Sequence, residues 1–241
     1  MHSRKELLNW GLKTGTEVRQ SYARWLHDGF FDRYLSGQHI LDIGYRGYDE
    51  SARAITPWAK GIDLDYPGYD GKNLPFPDKS QDTVFCSHVL EHIEDYRSAI
   101  IEWFRVLRFG GHLIIIVPHQ FLYERKLSPP SIWNQDHKRF YTAGSLLKEI
   151  EEAINPALYR IRLTEDNDRN FDYSIPSTEH AGGCYEIIVV LQKILPPTYI
   201  FEFQKKARGR VHKLIVRVFS KLLKKEEIPV ADQSEIWNNY Q

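Results

Sequence analysis

Cysteine is scarce in this chain: Cys86 and Cys184 are the only two among 241 residues. Both fall in stretches read as apolar strands, where a buried small side chain is favoured over a disulfide or a nucleophile. Net charge is also missing, because 32 Lys and Arg balance 32 Asp and Glu. That balance argues against nucleic acid as a partner of the whole molecule. No apolar run reaches the ~20 residues that a bilayer span requires. The opening Met1-His2-Ser3-Arg4-Lys5-Glu6 leads into no apolar segment, so no signal peptide is expected and the expected location is cytoplasmic. No G-x-G-x-x-G follows the first strand, which disfavours an NAD or nucleotide-sugar enzyme. Internal repeats and low-complexity tracts are absent as well.

What is present is ample core material, with 42% hydrophobic residues. At roughly 150 residues per domain, one domain with extensions is expected. Helical spacing of Val18, Tyr22, Trp25, Leu26, Phe30, Tyr34 and Leu35 predicts an amphipathic helix over 17–35, ended by Ser36-Gly37. Strands are expected at 39–44, 61–64, 83–87 and 113–117. Helices are expected at 50–58, 95–107 and 143–154, with Gly110-Gly111 stopping the second of them. Segments 159–164 and 185–191 read as a final antiparallel pair at the sheet edge. Alternating strands and helices indicate a doubly wound α/β sheet. Residues 1–37 form an N-terminal helical segment, 38–195 the α/β domain and 196–241 a basic C-terminal helical extension. Two long polar loops, 119–142 and 166–183, interrupt the domain, and loops of that length are usually functional.

One block is specific. Leu74-Pro75-Phe76-Pro77-Asp78 leads to Ser87-His88-Val89-Leu90-Glu91-His92-Ile93, then to Arg105-Val106-Leu107-Arg108-Phe109-Gly110-Gly111, and ends in the apolar run 113–117. In wording and spacing it resembles the type 11 group of class I S-adenosylmethionine-dependent methyltransferases. The resemblance implies a Rossmann-like fold, S-adenosyl-L-methionine as cofactor and methyl transfer as the activity. Asp42, Gly44 and Gly47 stand at the family's first glycine-rich turn, where glycines let the backbone approach the cofactor. Arg46 and Tyr48 depart from the glycines usual there, so the turn takes another path. Asp63, at the end of the second strand, is placed to accept ribose hydroxyls, with Asp65 as fallback. Asp70 inherits contact with the adenine amino group by resemblance, and Ser87 and His88 would line the methionine end. The segment between Asp65 and Asp70 is too short for a helix and strand, so a reduced sheet lacking the family's third strand is expected.

The loop 119–142 opens at the carboxyl edge of the sheet and would face the acceptor. His137 beside Asp136, or His119, are the candidate bases for a hydroxyl nucleophile. Tyr123, Trp133, Arg139 and Tyr141 are candidate substrate contacts, and His180 and Tyr173 from the second loop could complete the pocket. The run from Trp133 to Thr142 resembles methyltransferase-like proteins of bacterial surface-glycan clusters, which implies a small-molecule or glycan acceptor and a role in polysaccharide biosynthesis. A non-catalytic scaffold subunit of a glycan-assembly complex is the rival reading. His88-Val89-Leu90-Glu91-His92 also matches the H-x-x-E-H zinc motif. No metal is expected, because no downstream acid stands out as a third ligand; Glu91 and His92 should instead set the local turn. Finally, 200–225 combines an apolar stripe with nine Lys and Arg, a pattern suited to peripheral contact with the anionic inner leaflet or to packing on protein. The oligomeric state is not legible.

Overall fold

A computed structural model describes residues 3–47 and 49–196. Six strands form one sheet in the order β2-β1-β3-β4-β6-β5. They are β1 (Ile40–Ile43), β2 (Ala59–Ile62), β3 (Gln81–Ser87), β4 (Leu107–Pro118), β5 (Tyr159–Asn167) and β6 (Glu186–Lys193). The first four run parallel, and β6 lies antiparallel between β4 and β5. No strand occurs between Ile62 and Gln81, so β2 forms one edge of the sheet.

The apolar runs of β3, β4 and β6 are buried on both sides, as a sheet covered on two faces requires. Successive side chains alternate between those faces. Val84, Cys86, Leu113, Ile115, Val117, Ile187 and Val189 meet Ile100 and Trp103 of α4 (Tyr96–Val106) and Leu146 and Ile150 of α5 (Ala143–Ala153). Phe85, Ile114, Ile116, Ile188 and Val190 point the other way. They pack against Tyr22 and Trp25 of α2 (Thr16–His27) and Phe30 and Phe31 of α3 (Phe30–Tyr34). The result is three layers, with the carboxyl ends of the parallel strands left open for a site.

Three local expectations are corrected, and one helix is added. The helix over 17–35 is two helices, broken where Gly29 takes φ 72°. An additional helix, α1 (Arg4–Gly11), precedes them and is closed by a reciprocal Ser3–Glu6 capping box. No helix forms over 50–58: the Asp42 carboxyl takes the Ile55 N–H at 2.6 Å, and Pro57 disfavours helical backbone just before it. Gly110-Gly111 does not stop α4, which ends at Val106. Both glycines lie inside β4, where the register to β3 shifts and a Cβ on Gly111 would come within 2.8 Å of the Asp82 carbonyl.

Candidate active site

Beyond the carboxyl ends of β1, β2 and β3 lies a cavity of about 470 Å³, within the usual range for small-molecule sites. Its first end is built by the turn after β1. Gly44 has φ 67°, and a Cβ there would sit 2.4 Å from Val89 Cγ2, so only glycine fits. Gly47, also left-handed at φ 52°, has nothing within 4 Å of a Cβ. Both glycines and Asp63 line the cavity. One Asp63 oxygen accepts the Leu64 N–H at 2.8 Å; the other lies 3.7 Å from Arg46 Nε. Arg46 Nη2 also pairs with Asp65 at 2.5 Å. Asp42 borders the cavity but is committed to the Ile55 amide, and burial, aided by the charge of Asp63, pushes its pKa up to about 8. The glycine turn, the open face at Gly47 and the carboxylate ending β2 fit S-adenosylmethionine, on condition that Asp63 shares its outer oxygen with Arg46.

The second end combines the turn after β3 with the loop after β4. Ser87 Oγ lies 3.1 Å from His88 Nδ1, and His88 holds φ 56°, an uncommon backbone state for a non-glycine residue. Burial pulls the His88 pKa down to about 4, so the ring is neutral near pH 7, and its buried Nε2 has no hydrogen-bond partner. A single 3₁₀ turn, Leu90–His92, then places Glu91 fully buried and His92 half-buried on the cavity wall. His137 reaches the same wall, and its Nδ1 makes a short hydrogen bond to the buried Glu124. His137 Nε2 lies 4.0 Å from Glu91 Oε1. The Tyr123 ring lies 5.7 Å from that of His137 and 4.9 Å from that of Tyr185, and all three residues border the cavity.

Of the residues expected in the site, Asp42, Gly44, Gly47, Asp63, Ser87, His88, Tyr123 and His137 line this cavity. Others do different work. His119 stands outside the cavity; its Nδ1 accepts the Phe121 N–H at 3.0 Å and caps a π-helical turn, Gln120–Glu124. Asp136 is exposed, and the carboxylate bonded to His137 is Glu124 instead. Asp70 folds onto the Lys72 and Asn73 amides of its own loop, which holds its pKa at about 2. Arg139 donates to the carbonyls of Leu90, Ile93 and Glu94, and Tyr141 is a core residue whose hydroxyl reaches Glu149 at 2.8 Å. Trp133 meets His180 outside the cavity, and Tyr173 is exposed with its hydroxyl on Asp168. Three contributors carry no motif in the sequence: Glu124, which braces His137, and Tyr185 and residues 14–18 leading into α2, which line the cavity. Only Glu124 left a trace, as an acid inside the long loop. The basic segment 200–225 lies outside the described residues.

Comparison with known proteins follows this geometry. Residues 26–115 match the model of a methyltransferase domain. A probable S-adenosylmethionine-dependent methyltransferase of Mycolicibacterium smegmatis is 35% identical over 136 residues, covering 49% of this chain and 52% of that protein. The chain therefore spans about half the length of that relative. The uncharacterized protein YafS of Escherichia coli K12 is 26% identical over 229 residues, covering 86% of this chain and 89% of its own. Among solved structures, a SAM-dependent methyltransferase from Aquifex aeolicus aligns with TM-score 0.49 and 13% identity, covering 81% of this chain and 100% of that one. Residues 26–115 are thus similar to a methyltransferase domain, and part of the chain is similar to an S-adenosylmethionine-dependent methyltransferase.

Proposed function

We propose that this chain binds S-adenosylmethionine at the Gly44–Asp63 end of the cavity and methylates a hydroxyl of a small-molecule or glycan acceptor at the His137 end. The observation that carries this reading is the division of one cavity into a glycine-and-carboxylate end and a histidine-and-carboxylate end. When bound, the cofactor supplies an electrophilic methyl group on a sulfonium. The remaining work falls to the chain. Gly44 and Gly47 let backbone approach the ligand, and Asp63 offers an acceptor for ribose hydroxyls. The Tyr123 and Tyr185 rings give an apolar wall against which a sugar face can lie. The cluster around His137 is where the acceptor hydroxyl loses its proton. Glu124 fixes the ring so that Nε2 looks toward Glu91 and His92.

Titration calorimetry with S-adenosylmethionine, followed by detection of S-adenosylhomocysteine on a panel of hydroxylated acceptors, tests this reading. His137→Gln should lower turnover by about 10²–10⁴-fold while leaving cofactor affinity intact. A second reading, a non-catalytic scaffold subunit, is favoured by Arg46, which lies on the carboxylate that a ribose would need. Absence of cofactor binding at millimolar concentration would select it.

A further inference from the structure

We propose that Glu91, His92 and His137 bind a divalent transition-metal cation of the zinc type at the acceptor end of the cavity. Glu91 Oε1 lies 3.9 Å from His92 Nε2 and 4.0 Å from His137 Nε2, and the three donor atoms all fall within 4.8 Å of one another. In a tetrahedral site with bonds of about 2.0–2.1 Å, donor atoms stand about 3.4 Å apart, so the cluster would contract by roughly half an ångström or more. His92 is the least enclosed of the three, so the movement falls to its side chain.

Three independent features point to a ligand. Both Glu91 oxygens are buried without a hydrogen-bond partner. A carboxyl in that state must keep a proton or pair with a cation, and the two imidazole nitrogens beside it favour the cation. His137 gives its Nδ1 to the buried carboxylate of Glu124, the arrangement that fixes the tautomer and orientation of metal-ligating histidines and leaves Nε2 free to coordinate. All three residues line the cavity, so a fourth position stays accessible to an incoming oxygen. Two imidazoles with one carboxylate favour a zinc-type cation over magnesium or calcium, which prefer all-oxygen sites. The sequence motif points to a different pair. His88 is turned onto Ser87, and the second histidine comes from the loop after β4.

Binding of the cation stands on this geometry alone. Its role rests on the methyltransferase reading: it would hold the acceptor hydroxyl and make its proton easier to lose to solvent. His137 then serves as ligand, and the cation activates the hydroxyl.

The test uses the full chain, stripped with chelator and then titrated with Zn²⁺, with Co²⁺ as a spectroscopic probe and Mg²⁺ as a control. One equivalent of Zn²⁺ should be retained, and Co²⁺ should show the ligand-field absorption of a low-coordinate site. Glu91→Gln and His92→Gln should each weaken Zn²⁺ binding by at least about tenfold. His92 is half-exposed, so its variant remains informative if the Glu91 variant misfolds. No retained Zn²⁺, or equal Zn²⁺ affinity in wild type and His92→Gln, would overturn the proposal. Parallel titration with S-adenosylmethionine separates the two readings. Cofactor binding without zinc removes only the metal site, whereas zinc without cofactor binding removes only the methyl-transfer role.

Discussion

Asp42 shows how one side chain can serve the frame of a site more than its ligand. Its carboxyl is buried and holds the Ile55 amide, and burial lifts its pKa from 3.8 to about 8. The folded state therefore keeps a proton that the unfolded chain releases. This contribution to stability is full below the unfolded pKa and is lost as pH rises through the folded one, between about 4 and about 8. Asp42→Asn keeps an oxygen for the Ile55 N–H but has no proton to exchange. Urea melts should show wild type losing stability relative to this variant across that window; parallel curves would mean that Asp42 is ionised in the fold. Asp63 is open to a ligand test instead. Asp63→Ala should weaken S-adenosylmethionine binding by about 1–3 kcal/mol, the cost of a half-made polar pair. Arg46→Ala should tighten it by freeing the Asp63 oxygen, and calorimetry reads both signs.

The elements themselves were largely legible. Uninterrupted apolar runs at 84–86, 113–117 and 187–191 admit few readings other than buried strands, and the spacing of α4 and α5 needed no tertiary information. Beyond the local break at Gly29, the failures share a cause: a group from far along the chain reassigned a local signal. Gly110-Gly111 has the composition of a helix stop but serves a bulge set by the Asp82 carbonyl. Asp42, acting together with Pro57, governs the 50–58 segment. In the loop after β4, polarity and aromatic content could not tell a ligand contact from a brace. His137 faces the cavity, whereas Arg139 and Tyr141, two and four residues on, hold the fold. The Glu124–His137 pair spans 13 residues and has no periodicity to announce it. The turn after β1 gives the element-scale prediction. Gly44→Ala puts a methyl 2.4 Å from Val89 Cγ2 and should cost about 1–3 kcal/mol by overpacking. Adding Val89→Ala should recover part of that in a double-mutant cycle.

At the scale of the whole molecule, charge is unevenly placed along the chain although it sums to zero. Segment 200–225 holds nine basic residues and an apolar stripe. No helix among the described residues is long and apolar enough to cross a membrane. If 200–225 docks on an anionic surface, flotation with anionic vesicles should recover the full chain and not a chain ending at Pro197. Added salt should reduce recovery, since charge is screened over about 8–10 Å at physiological ionic strength. Equal recovery of the two chains would exclude that role. The clamp made by Arg139 has its own consequence for how the molecule handles a ligand. Its guanidinium holds the carbonyls of Leu90, Ile93 and Glu94, while the Lys138 amide holds that of Glu91 at 2.8 Å. The turn bearing His92 and the loop bearing His137 are thus riveted into one stiff jaw, although more than forty residues of chain separate them. A guest arriving between the two rings meets a backbone already set, so closing on it is left to the side chains and the main chain surrenders little further freedom.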